Sequence, residues 1–176
     1  MTTPRALPPP TGPVCWLSKS FLNGAIAASH SSPRRRVIQP FHRDENAALH
    51  RMFNAVQPGS YIPPHRHLDP PKAESWIVLR GRLAFFTFND EGGIEECLEI
   101  CAGGDIFGVD LEPGVYHTFL ALEPDTVVFE VKSGPYIVTS DKAFPSWAPP
   151  EGSEAAGAYL ATLQAEYLQR SSTKSA

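Results

Sequence analysis

Two histidines stand two residues apart at His65 and His67, a glutamate follows at Glu74, and another histidine lies downstream at His117. On an extended strand, residues two apart project from the same face. His65 and His67 therefore point one way and Arg66 the other. Two imidazoles on one strand face suit a grip on a borderline divalent metal, and a carboxylate from the next strand with a third imidazole completes the set. Such a set leaves open positions for water or substrate. A single histidine at a strand end is ordinarily a surface or hydrogen-bonded residue, so the weight lies in the combination. The chain has six histidines, of which two form the His65-Arg66-His67 pair and a third follows the Pro113-Gly114 turn signal. One divalent metal ion is expected, and the ligand types suit Fe, Zn, Mn or Ni alike.

The elements that must position these residues are legible in the hydrophobic pattern. After Gly59 the period is two, with strand candidates at 60–62, 65–67, 74–80, 83–88, 94–100, 105–109, 117–122 and 126–132. Turn signals separate them, among them Pro63-Pro64, Asp69-Pro70-Pro71, Arg80-Gly81, Gly92-Gly93, Gly103-Gly104 and Pro124-Asp125. Many short strands without intervening helices predict an antiparallel sandwich or barrel, an all-β fold.

Four segments follow from this. Residues 1–13 are rich in proline and read as a disordered tail. Residues 14–58 form an N-terminal arm. Its apolar stretch 14–28, with Trp16, Leu17, Phe21, Leu22 and Ile26, reads either as a strand pair or as a helix. Its second half, 44–56, reads as a helix capped by Asp44, with Leu49, Met52, Phe53 and Val56 at helical spacing. The barrel occupies 59–138. A C-terminal extension, 139–176, carries a helix over 153–169, whose stripe of Ala156, Leu160, Leu163 and Tyr167 is expected to pack on the barrel or on a second subunit.

Strand parity extends the site. Tyr61 shares the inward face of His65 and His67 if no bulge intervenes. Trp76, Val78 and Arg80 share that of Glu74, and Phe119 and Ala121 that of His117. Tyr61, Trp76, Arg80 and Phe119 are thus candidates for binding substrate. The Arg80 guanidinium suits a carboxylate or phosphate, unless it turns to solvent beside Gly81. The strand 126–132 reads in two ways. Either Val127, Phe129 and Val131 face the core and Glu130 and Lys132 face water, or Glu130 and Lys132 enter the barrel mouth as a proton-transfer or substrate-binding pair. Tyr136, after Gly134-Pro135, is a further catalytic candidate at that mouth. Cys97 and Cys101 lack enough neighbours for a zinc site and read as non-functional. His30, His42 and His50 have no partner at ligand spacing, and His50 is expected on the exposed side of a helix.

Composition narrows the classes. Apolar residues make up 42% of 176, and the net charge is −4. That balance gives no reason to expect nucleic acid, and the basic run Arg34-Arg35-Arg36 reads as solvated or as an oligomer contact. No apolar run is long enough for a membrane span, no secretory leader pattern opens the chain, and three cysteines make no disulfide framework. A soluble, cytoplasmic protein with a small-molecule ligand is expected, with the arm and C-terminal helix as elements of a homodimer. Phosphate-binding glycine loops and a nucleophile elbow are absent.

The spacing Gly59, His65, His67, Glu74, Gly81 resembles the first cupin motif, and Gly104-Asp105 through Pro113-Gly114-Val115-Tyr116-His117 resembles the second. The gap from His67 to Glu74 is longer than the common cupin spacing, and Ala121 stands where an asparagine is frequent. Across roughly 33–152 the chain resembles the WbuC-type cupin-fold metalloproteins. The phrases carrying this are Pro64-His65-Arg66-His67, Val78-Leu79-Arg80-Gly81-Arg82-Leu83, Ala121-Leu122-Glu123-Pro124, Phe129 through Tyr136, Asp141-Lys142, Phe144 and Trp147. The resemblance implies a metal-bearing cupin jelly-roll barrel and an association with surface-polysaccharide gene clusters. The function expected is a metal-dependent isomerase, epimerase or oxygenase on a small organic substrate such as a sugar derivative. The alternative is a non-catalytic metal-dependent binding or regulatory cupin.

Overall fold

The computed structural model describes residues 5–174. Helix α1 (Lys19–Ser31) leads into strands β1 (Arg36–Pro40), β2 (Leu49–Val56), β3 (Glu74–Arg80), β4 (Arg82–Phe88), β5 (Ile94–Cys101), β6 (Gly108–Leu111), β7 (Tyr116–Ala121) and β8 (Thr126–Ser133), and helix α2 (Ala155–Lys174) ends the chain. One sheet has the order β1-β2-β8-β3-β6 and the other β5-β4-β7, with every pair antiparallel. The segment at His65 continues the second sheet beyond β7, exchanging backbone hydrogen bonds with His117 (3.1 and 2.9 Å). From β3 onward the chain passes to and fro between the sheets. This order is a jelly roll, the fold expected of a cupin.

Sharp passages between sheets need special backbone. Gly81, at φ +77°, turns β3 into β4, and a Cβ there would sit 2.9 Å from Thr126 Cα, so only glycine fits.

Three apolar clusters build the layers. Inside the barrel, Val56, Trp76, Val78, Leu83, Phe85, Ile100, Phe119 and Val128 pack together. On the outer face of the second sheet, Ala84, Phe86, Phe88 and Leu120 receive Leu163 of α2. On the outer face of the first, Val37, Phe53, Ala55 and Val127 receive Ala25 and Ile26 of α1. β4 and β7 are therefore buried on both faces, as central strands under a helix must be.

The N-terminal arm departs from its reading. Of the stretch 14–28, residues from Lys19 onward form helix α1, with the Ser18 hydroxyl accepting from Phe21 N–H at 3.2 Å as its cap, while Trp16 and Leu17 lie exposed before it. The expected helix at 44–56 is instead strand β2. It lies between β1 and β8 and is covered on both faces from Met52 onward, so its apolar residues imitate helical spacing. Asp44 does not cap a helix; its carboxylate accepts from Asn46 N–H at 2.9 Å in a local turn. His50 is accordingly buried on β2 rather than exposed on a helix. Of the expected disordered tail, residues 1–4 lie outside the described residues, while Leu7 N–H donates to Ile38 O at 2.8 Å, so this part lies along β1. The candidate at 60–62 is not a strand, and that at 105–109 begins later, as β6.

Two arginines of the basic run are engaged within the chain. Arg34 and Arg36 both pair with Glu151, at 2.8 and 2.7 Å, and tie the segment before α2 to β1. Burial lowers Arg36 to about 10. Among the described residues no helix is long and apolar enough to cross a membrane.

Because α2 covers the outside of the second sheet, truncating its buried anchor should loosen the layer and spare the interior. Leu163→Ala is expected to cost about 2–5 kcal/mol in denaturant melts while leaving metal uptake unchanged. Loss of both would make α2 part of the site.

Candidate metal centre

His65 and His117 face each other across the bridge that extends the second sheet, with ring centroids 4.6 Å apart, and His67 completes the group. All three are 2–3% exposed, and a possible ligand atom from each lies within 4.8 Å of the others. Arg66 turns outward as parity requires, over the Tyr116 ring at 4.2 Å and beside Asp90 at 2.9 Å.

The tautomers are decided by backbone. His65 Nδ1 lies 2.9 Å from Pro63 O, His117 Nδ1 lies 2.9 Å from Val115 O, and His67 Nδ1 meets Asp141 O. A carbonyl only accepts, so in each neutral ring the proton sits on Nδ1 and the Nε2 lone pair faces inward. Glu74 joins from β3. Its Oε1 accepts from Trp76 Nε1 at 2.5 Å, which turns Oε2 toward His67 Nε2 at 3.0 Å and His117 Nε2 at 3.5 Å. His117 Nε2 is buried without a hydrogen-bond partner among the described residues. Acceptors gathered face to face, one of them orphaned, form the donor set a divalent cation needs. The residues present therefore fit a metal: the three histidines offer the ligand atoms, and Glu74 Oε2 stands beside two of them.

Electrostatics agree with a neutral His65 and an ionised Glu74. Burial, and then the Lys142 charge, hold His65 well below its ordinary value. Burial opposes ionisation of Glu74, but His117, His67 and Lys132 together hold its carboxyl well below the usual range.

Around this centre lies a buried ionic chain. Glu130 and Lys132 point into the barrel from β8, opposite Trp76 and Glu74 on β3. Asn54 Nδ2 donates to Glu130 Oε2 at 2.6 Å, and Lys132 Nζ lies 3.6 Å from Glu130 Oε1. Asp141 accepts from Lys72 at 2.7 Å and from Lys132 at 3.0 Å. The two readings of β8 thus resolve together, since both its faces are buried: Val127 and Phe129 pack toward α1, and Glu130 and Lys132 take the interior. Burial, and then the Lys132 charge, push Lys142 down to about 8.

The remaining candidates divide. Trp76 stands edge-on 5.4 Å from the His117 ring and Phe119 packs on Trp76 at 5.1 Å, both inside the barrel. Trp76 orients Glu74, a supporting part that sequence reading gave instead to substrate. Arg80 does not enter the barrel. A bulge between Val78 and Arg80 breaks the alternation, and the guanidinium pairs outside with Asp125 at 3.2 Å. Tyr61 also lies away, because the Pro63-Pro64 stretch interrupts parity; its hydroxyl donates to Pro149 O at 2.8 Å and its ring meets Tyr159 of α2. Tyr136 is on an exposed loop, its backbone N–H donating to Glu45 O, with no ring contact or hydrogen bond to the histidines among the described residues.

Sequence reading gave no role to Lys72, Asn54, Asp141 or Lys142. A signal existed for one pair, since Asp141-Lys142 stands in the segment that carries the family resemblance.

A family profile described as a domain of unknown function, DUF6016, matches residues 17–100. No curated protein matches the chain. Among solved structures it is similar to oxalate decarboxylase from Bacillus subtilis at pH 4.6, with 16% identity over 56% of this chain and 24% of that one and a TM-score of 0.45. It is also similar to the formate complex of oxalate decarboxylase from Lactobacillus farciminis, with 21% identity over 55% and 26% and a TM-score of 0.43. A third is Bacillus subtilis oxalate decarboxylase studied for its Mn(II) centers, with 17% identity over 56% and 24% and a TM-score of 0.44. The chain spans about a quarter of the length of these structures. Its jelly-roll fold rests on its own strand order.

Burial, reinforced by the Glu74 charge and opposed by Lys132, pushes the Glu130 carboxyl from 4.5 up to about 8. The folded value lies above the unfolded one, so the linked stability is complete below 4.5 and lost as pH rises through 8. Metal-free protein is therefore expected to lose Tm between about pH 5 and pH 8, more steeply than Glu130→Gln. Parallel Tm profiles for the two would remove Glu130 from the charge balance.

Proposed function

We propose that this chain is a metal-binding cupin whose His65, His67, His117 and Glu74 hold one divalent ion, and that it acts enzymatically on a small organic substrate. The observation that carries the reading is the triple pinning of Nδ1 to Pro63, Val115 and Asp141 carbonyls, which commits three Nε2 lone pairs to one point. A bound divalent ion supplies Lewis acidity toward ligand oxygens.

The chain's own groups support an enzyme over a passive binder. An apolar barrel would serve binding alone, but Glu130 and Lys132 stand inside it beside Glu74. Glu130, fixed by Asn54, is the candidate for holding or passing a proton at its carboxylate oxygens. Lys132, paired with Asp141 and Glu130, fixes that carboxylate's position. Trp76, Phe85 and Phe119 fill the interior next to His117 and keep bulk water out. The reaction class proposed is isomerisation, epimerisation or oxygenation. The WbuC-type resemblance contributes the sugar-derivative class of substrate to this proposal.

Elemental analysis of purified protein tests the reading. Wild type is expected to retain about one equivalent of a transition metal, and the His65→Ala, His67→Ala double variant almost none. Glu130→Gln should keep its metal, as a group outside the ligand set does. Equal metal content in wild type and the double variant would sink the proposal.

A further inference from the structure

The segment 141–144 crosses the strand bearing His65 and His67. Arg66 and Ala143 exchange both backbone hydrogen bonds, at 3.0 and 2.9 Å, as an antiparallel pair. Directly paired residues share a face, and their neighbours share the opposite one. Arg66 and Ala143 look outward, so Lys142 stands opposite His67, and Phe144 opposite His65, on the side facing the metal centre. The ring contact agrees, with Phe144 6.1 Å from His65. Phe144 is 58% exposed and Lys142 part-buried, so the strap lies between the histidines and the surface.

Lys142 differs from the two other lysines here. Lys72 and Lys132 are spent on Asp141. Lys142 makes no hydrogen bond or ion pair among the described residues, although Glu74, Glu130, Asp141 and Lys132 are the charges around it.

Charge decides what belongs beside it. Three ammonium groups, on Lys72, Lys132 and Lys142, face three carboxyl groups, on Glu74, Glu130 and Asp141. The interior thus holds no excess of negative charge before any metal enters, and a divalent ion adds two uncompensated positive charges. Uncompensated charge in a low-dielectric interior is costly, so the loaded site favours an anion. Trp76, Phe85 and Phe119 pack about His117 inside the barrel, which favours a compact ligand over a bulky one.

We propose that the ligand of this site is a small organic carboxylate, whose anionic oxygens bind between the metal position and Lys142. The assignment rests on the metal-binding reading above. Lys142 acts as the specificity-determining cation, and Phe144 covers the apolar remainder of the ligand. A planar carboxylate is preferred over a tetrahedral phosphate because it is the smaller group and carries both oxygens along one edge, where the metal position and Lys142 can share them.

The test uses the full chain reconstituted with Co(II), whose visible absorption reports ligands entering its coordination sphere, titrated with malonate, inorganic phosphate and glycerol. Malonate is expected to perturb the spectrum saturably, phosphate more weakly and glycerol not at all. Lys142→Met should raise the malonate Kd by about tenfold or more at unchanged cobalt stoichiometry, and Lys142→Arg should restore most of it. The cobalt stoichiometry reports that the variants remain folded around the site. Unchanged malonate affinity in Lys142→Met, or phosphate binding tighter than malonate, overturns the assignment. A cobalt-loaded chain indifferent to every anion removes the carboxylate assignment alone, whereas a wild-type chain that takes up no cobalt removes both it and the metal reading.

Discussion

Acceptors repel one another, and this molecule buries four of them face to face. Three Nε2 lone pairs and Glu74 Oε2 meet in the barrel with their other polar atoms already committed to Pro63, Val115, Asp141 and Trp76. A buried acceptor without a donor costs about 1–3 kcal/mol, and clustering compounds it. No rotation of a ring relieves the conflict without breaking a bond to backbone. The arrangement is stable only with a positive charge at its centre, supplied by protons or by a metal ion. Burial disfavours a proton on His65, and the clustered imidazoles are of the kind that suits a divalent metal ion.

The fold keeps this centre by spending backbone hydrogen bonds. The pairing of His65 with His117 sets two ligands opposite each other, and the pairing of Arg66 with Ala143 brings Asp141 O to His67. Helices α1 and α2 stand outside, covering opposite sheets. The interior is free to hold ionic groups because the outer layers carry much of the apolar burial. Glu130 and Lys132 lie inward on β8 while Val127 and Phe129 of the same strand face α1, so one strand serves both kinds of packing.

What was legible in the sequence follows from this division. Glycine and proline turn signals at short spacing foretold the antiparallel barrel from β3 onward, with clear alternation on β3 and with short apolar runs between turns marking β4 and β7, which are buried on both faces. The His65-Arg66-His67 pair and His117 were legible as strand positions of fixed parity. β2 was not, since burial on both faces erases the alternation that distinguishes strand from helix. Arg80 and Tyr61 were misplaced where parity lapses, at a bulge in one case and at Pro63-Pro64 in the other. Lys72, Asp141 and Lys142 belong to loops, where no periodicity says which way a side chain turns.

The long gap between His67 and Glu74 gains a reason from the same loops. A shorter connection would carry the chain directly from one ligand to the next. The additional residues bring Lys72 to Asp141 at 2.7 Å and to Pro135 O, fully inside the protein. Asp141 is the residue whose carbonyl orients His67 and whose carboxylate also fixes Lys132. A buried ammonium is tolerated only when paired and hydrogen-bonded, so Lys72 and Asp141 must be ordered together. Ordering Asp141 draws the strap across His65 and His67, and with it Lys142 and Phe144. The departure from the common cupin spacing thus connects His67 to the strap that carries Lys142 and Phe144.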